Sequence, residues 1–267
     1  MRISVLLLFC CSIIFVSCSP YQKVYSGDDT GAKYVFADSL YKIGKYKKSL
    51  KLMEQVVPAY RGKPQAERLM FMYSNTFYEL GDFYLAGYQF ERFETTYPKS
   101  DSVEVAAYRS AKSYYELSPK YSLDQKDTEK ALEKLQSYIN NYPDTPYREE
   151  TNALVAELRG KLERKDIEVA KQYLRISDYK PAIAAFDNFI TDHPGSEFRK
   201  DAFFGRMDAQ YQLAINSVPT LVEERLIEAK GYYNGFVKYY KDSDLKEDAD
   251  KILNDINKRL NKKEPTS

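Results

Sequence analysis

Residue types that carry out catalysis are scarce in this 267-residue chain. The chain has a single histidine, His193, which lies directly before Pro194, and its three cysteines all fall within the first 18 residues. It contains no Cys/His cluster with the spacing of metal ligands and no glycine-rich phosphate-binding loop. Acidic pairs such as Glu149-Glu150 fall on charged stretches that solvent would cover. We therefore expect no enzyme activity, no metal and no cofactor.

Cys18 is the one residue with a definite chemical expectation. Arg2 precedes a nearly apolar stretch over residues 3–16, which is too short to span a bilayer and is typical of a secretory signal peptide at residues 1–17. The sequence FVSC at 15–18 is similar to a bacterial lipobox, with Phe15 in place of the usual leucine. We expect Cys18 to carry lipid after cleavage; the alternative is an ordinary signal peptide cut elsewhere. The polar stretch 18–31 then predicts a flexible, lipidated tether.

Aromatic residues recur at a fixed spacing in the N-terminal half of the chain. The whole chain contains 25 Tyr, 14 Phe and no Trp. Two sets have members 37 residues apart: Tyr34, Phe71 and Tyr108, and Tyr41, Tyr78 and Tyr115. A polar set with the same spacing lies between them: Asp38, Asn75 and Lys112. A constant period of this length indicates a repeated structural unit.

The clearest copy of that unit covers residues 70–98, MFMYSNTFYELGDFYLAGYQFERFETTYP. Two apolar faces at helical spacing flank a turn at Gly81-Asp82: Tyr73, Ser74 and Phe77, then Ala86, Phe90 and Phe93. This is the pattern of a tetratricopeptide (TPR) repeat, a helical hairpin. One hairpin buries its apolar faces only by stacking on neighbours, so the unit implies an array.

Extended along the chain, the pattern predicts an all-α fold: a TPR superhelical array of about five helical hairpins with a C-terminal capping helix. Repeats 1 to 3 occupy an N-terminal half at 32–144. A long linking helix, repeats 4 and 5 and the capping helix occupy 145–261, and a polar tail follows at 262–267. Thr145 with Pro146 is expected to start the linking helix, and Ser243 to cap the last one. About ten extra residues surround Pro219 in repeat 5.

The nine residues at 37-residue spacing have two interpretations. In TPR arrays the first helix of each hairpin lines a concave groove, and these positions fall on that side. Tyr and Phe supply large contact area to a bound peptide, so a groove lined by them suits an extended apolar peptide. The alternative is that they form the core between repeats, as most aromatic residues at helical spacing do.

One segment is more specific than the repeat pattern, the sequence YYELSPKYSLDQ at 114–125. Together with the signal peptide, the lipobox and the five-repeat layout, this segment resembles the BamD family, the TPR lipoproteins of the outer-membrane β-barrel assembly machinery. The loop residues that carry the resemblance are Ser118, Pro119, Lys120, Leu123, Asp124 and Gln125.

The resemblance implies a non-enzymatic lipoprotein anchored by lipid on the periplasmic face of the outer membrane. It implies binding to the POTRA domains of a BamA-type barrel-forming subunit, mainly through the C-terminal half, and contact with accessory assembly lipoproteins. It also implies that the N-terminal half receives the C-terminal signals of unfolded outer-membrane proteins. The net charge of +1 adds no expectation of a nucleic-acid partner.

Two other kinds of protein fit part of the pattern. The first is a generic TPR scaffold lipoprotein of the periplasm that serves envelope maintenance or cell division. The second is a surface glycan-binding lipoprotein, which usually has a chain about twice this length and sugar platforms that favour Trp. The absence of Trp disfavours the second.

Overall fold

The computed structural model describes residues 20–261, which form twelve α-helices and no strand. The predicted signal peptide at 1–17, the lipidation site Cys18 and the polar tail at 262–267 lie outside this range. The first six helices are α1 (Pro20–Ser26), α2 (Thr30–Lys42), α3 (Tyr46–Tyr60), α4 (Ala66–Glu79), α5 (Phe83–Thr96) and α6 (Val103–Glu116). The other six are α7 (Lys126–Asn141), α8 (Arg148–Arg175), α9 (Tyr179–Asp192), α10 (Arg199–Ile215), α11 (Pro219–Tyr240) and α12 (Lys246–Asn261). Within the described residues, no helix is both long and apolar enough to cross a bilayer.

The described residues divide into two compact units. The first contains residues up to 118 together with 129–151, and the second contains 119–128 together with residues from 152 onward. Helix α8 supplies residues to both units. The boundary between the units falls within this continuous helix, after Thr151, seven residues beyond the predicted division at 144/145. The segment 119–128 belongs with the second unit.

In the first unit, the predicted hairpins are α2–α3, α4–α5 and α6–α7. Their small and large apolar residues alternate in the core, and the fully buried ones include Ala37, Met53, Val56, Ala86, Phe90, Phe93, Ala131 and Leu135. The first two hairpins turn at Gly44 and Gly81, whose φ angles of 71° and 76° lie in the left-handed region that glycine adopts without a steric penalty. The periodicity thus predicted both the faces and the turns correctly.

In the second unit, α8 pairs with α9, α10 pairs with α11, and α12 covers the end. Ala249 and Ile256 of α12 are fully buried, so the prediction of a capping helix is confirmed. Ser177 turns the α8–α9 hairpin with φ 62°, in the place that Gly44 and Gly81 hold in the first unit. The residues around Pro219 lengthen a helix, since Pro219 is the first residue of the 22-residue α11.

The structure corrects three local predictions. The predicted flexible tether contains helix α1, whose Tyr21, Val24 and Tyr25 pack against the core of the first hairpin. Thr145 does not cap α8, because the helix begins at Arg148, two residues after Pro146. The Thr145 hydroxyl instead accepts a hydrogen bond from the Tyr147 backbone N–H at 3.2 Å, in the turn before the helix. The Ser243 hydroxyl is buried and has no hydrogen-bond partner among the described residues, so it does not cap α12.

Candidate functional site

All nine residues of the predicted peptide groove lie in the first unit, on the first helices of its three hairpins: α2, α4 and α6. Hydrogen bonds link these helices in sequence. The Asn75 side-chain N–H donates to the Tyr41 hydroxyl at 2.6 Å, and the Asn75 side-chain carbonyl accepts from Arg109. Arg109 also forms an ion pair with Glu79 at 3.3 Å. The polar positions of the pattern therefore hold successive hairpins in register.

Two of the nine residues offer no surface to a peptide. Tyr108 and Asn75 are each only 5% exposed. Burial raises the pKa of the Tyr108 hydroxyl, and neighbouring Glu150 raises it further. Lys112 lies 5.6 Å from the centre of the Tyr108 ring and pairs with Glu150 at 2.6 Å. For Asn75 and Tyr108 the groove interpretation is wrong, because neighbouring segments bury both side chains: Tyr41 and Arg109 contact Asn75, and Tyr147 stacks on Tyr108.

The other aromatic positions are half-buried. Four of them pack against the core of the first unit: Tyr34, Tyr41, Phe71 and Tyr78. Tyr34 stacks on Tyr60 with ring centres 5.1 Å apart. The Arg109 guanidinium lies 5.1 Å from the centre of the Tyr78 ring, which also meets Phe83 edge-on. Tyr115 is likewise half-buried. Such partly exposed rings anchor a ligand at low entropic cost because their contacts already fix the rotamers.

A pocket of about 550 Å³ opens beside two of these positions. Tyr41, Phe71 and Phe93 form its aromatic lining, and Glu67 and Arg68 bring charges to it. The Phe71 ring meets Phe93 edge-on at 5.5 Å between ring centres, and Phe93 itself is fully buried. The core of the second hairpin therefore supports the aromatic lining, and the pocket is preorganised.

The charges beside this pocket come from adjacent hairpins. Asp38 on α2 accepts hydrogen bonds at 2.6 Å from both Lys42 and Arg68. Partial burial alone would raise the pKa of Asp38, but the hydrogen bonds from Lys42 and Arg68 outweigh it and lower that pKa. The Arg68 side chain remains 59% exposed, so its guanidinium is available to a carboxylate of a ligand as well as to Asp38.

Sequence reasoning missed Arg68 and Arg109, two arginines that contact residues of the predicted groove: Arg68 contacts Asp38, and Arg109 contacts Asn75 and Tyr78. A signal for them exists in the chain. Opposite charges on the first helices of neighbouring hairpins recur at a separation of 30 residues: Asp38 with Arg68, Glu79 with Arg109, and, in the second unit, Lys171 with Asp201. A search for complementary charges at that separation, beside the search for apolar periodicity, finds them.

The loop that carried the family resemblance is held together by Gln125, which is 6% exposed. Its side-chain N–H group donates to the backbone carbonyls of Lys120 and Leu123 at 2.8 and 3.0 Å. Its carbonyl accepts from the Thr128 hydroxyl at 2.8 Å. Asp124 accepts from the Lys126 backbone N–H at 3.0 Å. The loop is thus a preformed structure within the second unit; Pro119 belongs to that unit, whereas Ser118 ends the first stretch of the other.

His193 has a structural position. It ends α9 as Tyr97 ends α5, because in both places the backbone N–H donates to a phenylalanine carbonyl four residues earlier. Its ring lies 4.8 Å from Phe189 and 3.3 Å from the Asp166 carboxylate. Among residues 20–261 no group of three or more His, Cys, Asp or Glu side chains is arranged to hold a metal ion.

Comparison with known proteins identifies the family. Residues 28–226 match the family model for YfiO, described as an outer membrane lipoprotein. The outer membrane protein assembly factor BamD of Caulobacter vibrioides is 27% identical over 126 residues, which cover 47% of this chain and 41% of the Caulobacter protein. The match thus spans less than half the length of that relative.

Two solved structures of kinesin-light-chain TPR-like repeats from Podosopora anserina also align with the chain. One is 14% identical over 78% of this chain and 95% of its own, and the other 12% identical over 90% and 100%; both have a TM-score of 0.33. The family match covers most of the described residues, including all three hairpins of the first unit. This chain therefore belongs to the YfiO family of outer membrane lipoproteins.

Proposed function

We propose that this chain is a non-enzymatic, lipid-anchored subunit of an outer-membrane β-barrel assembly machinery, on the periplasmic face of the membrane. In this role the first unit receives the C-terminal segments of unfolded outer-membrane proteins. The second unit binds POTRA domains of a BamA-type subunit, and accessory assembly lipoproteins join the complex. Support comes from the family match and from the similarity to the Caulobacter assembly factor.

The observation that carries the receptor role is the pocket formed by Tyr41, Phe71 and Phe93 with Arg68 beside it. An extended C-terminal segment presents alternate side chains on one face, so an apolar or aromatic side chain enters the aromatic pocket while the next points away. The terminal carboxylate then pairs with the exposed Arg68 guanidinium, in a charge-assisted hydrogen bond stronger than a neutral one.

A peptide-binding measurement tests this role. The probe is a fluorescent ten-residue peptide of alternating polar and apolar residues that ends in phenylalanine, made with either a free or an amidated C-terminus. We expect the free acid to bind the full chain about tenfold more tightly than the amide. We expect Arg68→Ala to abolish that difference while retaining weak binding of both peptides, since the aromatic pocket remains.

The matched control is Arg159→Ala, which removes an exposed arginine of α8 in the second unit. It should leave both affinities unchanged. Equal binding of the free acid and the amide by the unaltered chain would overturn the proposed use of Arg68. Failure of both peptides to bind would overturn the receptor role itself.

The partner role is tested by affinity purification of the tagged, lipidated chain from solubilised outer membranes. We expect the POTRA-containing barrel subunit to be recovered in stoichiometric amount. Its absence from the purified material, with the chain itself correctly anchored, would remove the basis for placing this protein in the assembly machinery.

A further inference from the structure

The second unit contains a cleft of about 750 Å³ that the receptor role described above does not use. The loop residues Lys120 and Tyr121 form one side, α8 supplies Gly160 and Arg164, and Phe198 comes from the segment before α10. Every lining residue belongs to the second unit. The cleft therefore exists independently of the aromatic groove in the first unit.

The loop side of the cleft is rigidly built. Gln125 fixes the backbone on both sides of Tyr121 through its bonds to Lys120 and Leu123. Lys165 of α8 donates to the Leu123 carbonyl, and the Arg164 guanidinium lies 4.4 Å from the centre of the Tyr121 ring. The loop is thus attached to α8 at two points, and the cleft beside it is preorganised for binding.

Gly160 forms an open floor in the middle of the 28-residue α8. A Cβ placed on Gly160 would meet no other atom within 4 Å, so packing does not require a glycine here. Glycine within a helix costs about 1 kcal/mol relative to alanine. Because Gly160 has no side chain, the cleft between Tyr121 and Phe198 is open to a residue of a bound peptide.

The charges indicate what occupies the cleft. Three of its lining side chains are basic and two are acidic: Lys120, Lys161 and Arg164 against Glu157 and Glu197. Two of the basic groups, Lys120 and Arg164, are exposed and flank Tyr121. Glu197 lies at the other side, next to Phe198. An acidic side chain is therefore favoured beside Tyr121, and an apolar or aromatic one over Gly160.

We propose that this cleft binds an extended segment of a partner protein in which an acidic residue adjoins an aromatic residue. The aromatic side chain lies over Gly160 between Tyr121 and Phe198. The carboxylate accepts hydrogen bonds from Arg164 and Lys120. Binding here does not depend on the peptide role of the first unit.

The test fills the floor of the cleft without disturbing the fold. Gly160→Leu places a side chain in the cleft, and leucine favours the helix over glycine. The matched control is Gly231→Leu, at a helical glycine of α11 that also has nothing within 4 Å of an added Cβ. The probe is a fluorescent ten-residue peptide with a central Asp-Phe pair, and its partner peptide has Lys-Phe instead. Both are titrated against the full chain in detergent.

We expect the Asp-Phe peptide to bind at least tenfold more tightly than the Lys-Phe peptide. Gly160→Leu should weaken Asp-Phe binding at least tenfold with an unchanged or higher melting temperature, and Gly231→Leu should leave it unchanged. Arg164→Gln should reduce the preference for Asp over Lys. Equal affinity for the two peptides, or undiminished binding of the Asp-Phe peptide by Gly160→Leu, would overturn the proposal. Arg68→Ala, which alters the pocket of the first unit, should leave binding of the Asp-Phe peptide unchanged.

Discussion

The Tyr108 ring stacks on the Tyr147 ring, with ring centres 4.1 Å apart and only 3° between their planes. Tyr147 directly precedes α8, so this contact fastens the start of the long helix to α6. Tyr138 of α7 adds a third ring at 5.6 Å from Tyr108. Tyr108, the third member of the set that begins with Tyr34 and Phe71, therefore packs within the first unit and does not face a ligand.

Replacing Tyr108 should destabilise the first unit strongly. Tyr108→Ala removes a ring that is 5% exposed and leaves a cavity between two other aromatic rings, which typically costs about 3 kcal/mol. Urea denaturation followed by circular dichroism measures the change in the free energy of unfolding. Tyr84→Ala is the control, because Tyr84 is 71% exposed and surface changes usually stay within about 0.5 kcal/mol. Similar losses for both variants would contradict the assigned packing role of Tyr108.

Tyr78 and Tyr115 should separate binding from stability. Both are half-buried members of the predicted groove, and Tyr78 contacts Arg109 and Phe83. We expect Tyr78→Ala with Tyr115→Ala to reduce capture of the phenylalanine-ending peptide at least fivefold. The melting temperature should fall by less than it does for Tyr108→Ala, because less area is uncovered. A loss of stability equal to that of Tyr108→Ala, with unchanged binding, would place both rings in the core instead.

The apolar periodicity predicted the fold well because it reports directly on burial. Ala86, Phe90 and Phe93 were expected in the core, and all three are fully buried. The same periodicity gave a less reliable answer for Tyr108, since spacing along one helix does not show which later segment covers it. Tyr147, which covers Tyr108, lies 39 residues further along the chain.

Short segments and side-chain pairs between hairpins were harder to predict. Helix α1 has only seven residues, and a helix of that length is stable only through packing. Its stripe of Tyr21, Val24 and Tyr25 at helical spacing was the available signal. Arg68 and Arg109 were missed because a search for apolar periodicity does not detect ion pairs. The signal for Arg68 is its position 30 residues after its partner Asp38.

Gly205 should tolerate no side chain. A Cβ on Gly205 of α10 would collide with the ring of Phe186, which is fully buried in α9. Gly205→Ala should therefore lower the stability of the second unit by about 1–3 kcal/mol, as overpacking of a core does. Gly231→Ala is the control and should raise stability slightly, because Gly231 has open space and alanine favours the helix. Thermal unfolding of the two variants compares them directly, and a gain in stability for Gly205→Ala would show that the helices separate freely.

Replacing Ser177 with glycine should increase the stability of the second unit. Its φ of 62° costs a non-glycine residue about 1 kcal/mol, and the equivalent turns use Gly44 and Gly81. Ser177→Gly should raise the free energy of unfolding by several tenths of a kcal/mol, while the exposed Ser26→Gly in helix α1 should not raise it. Chemical denaturation with both variants provides the measurement. No gain at Ser177 would mean that the serine side chain compensates for its backbone conformation.

Glu94 should make the stability of the first unit depend on pH. It lines a cavity of about 80 Å³ with Glu91, Lys134 and Tyr142. Burial, with a contribution from Glu91, raises the pKa of Glu94 to about 7, and Lys134 opposes the shift. The folded state therefore holds a proton that the unfolded state releases above its ordinary pKa of 4.5. Stability from this group is complete below about pH 4.5 and is lost as the pH rises toward 7.

Glu94→Gln removes the titration while keeping the shape of the side chain. We expect this variant to be more stable than the unaltered chain at pH 8 and similar to it at pH 4.5, where Glu94 is protonated in the folded state. Because Glu94 is only partly buried, solvent screening reduces the gain to about 1 kcal/mol. Denaturation midpoints measured from pH 4.5 to 8 give the comparison, with the exposed Glu129→Gln as the control. A constant difference between Glu94→Gln and the unaltered chain across this range would show that the carboxyl does not titrate within it.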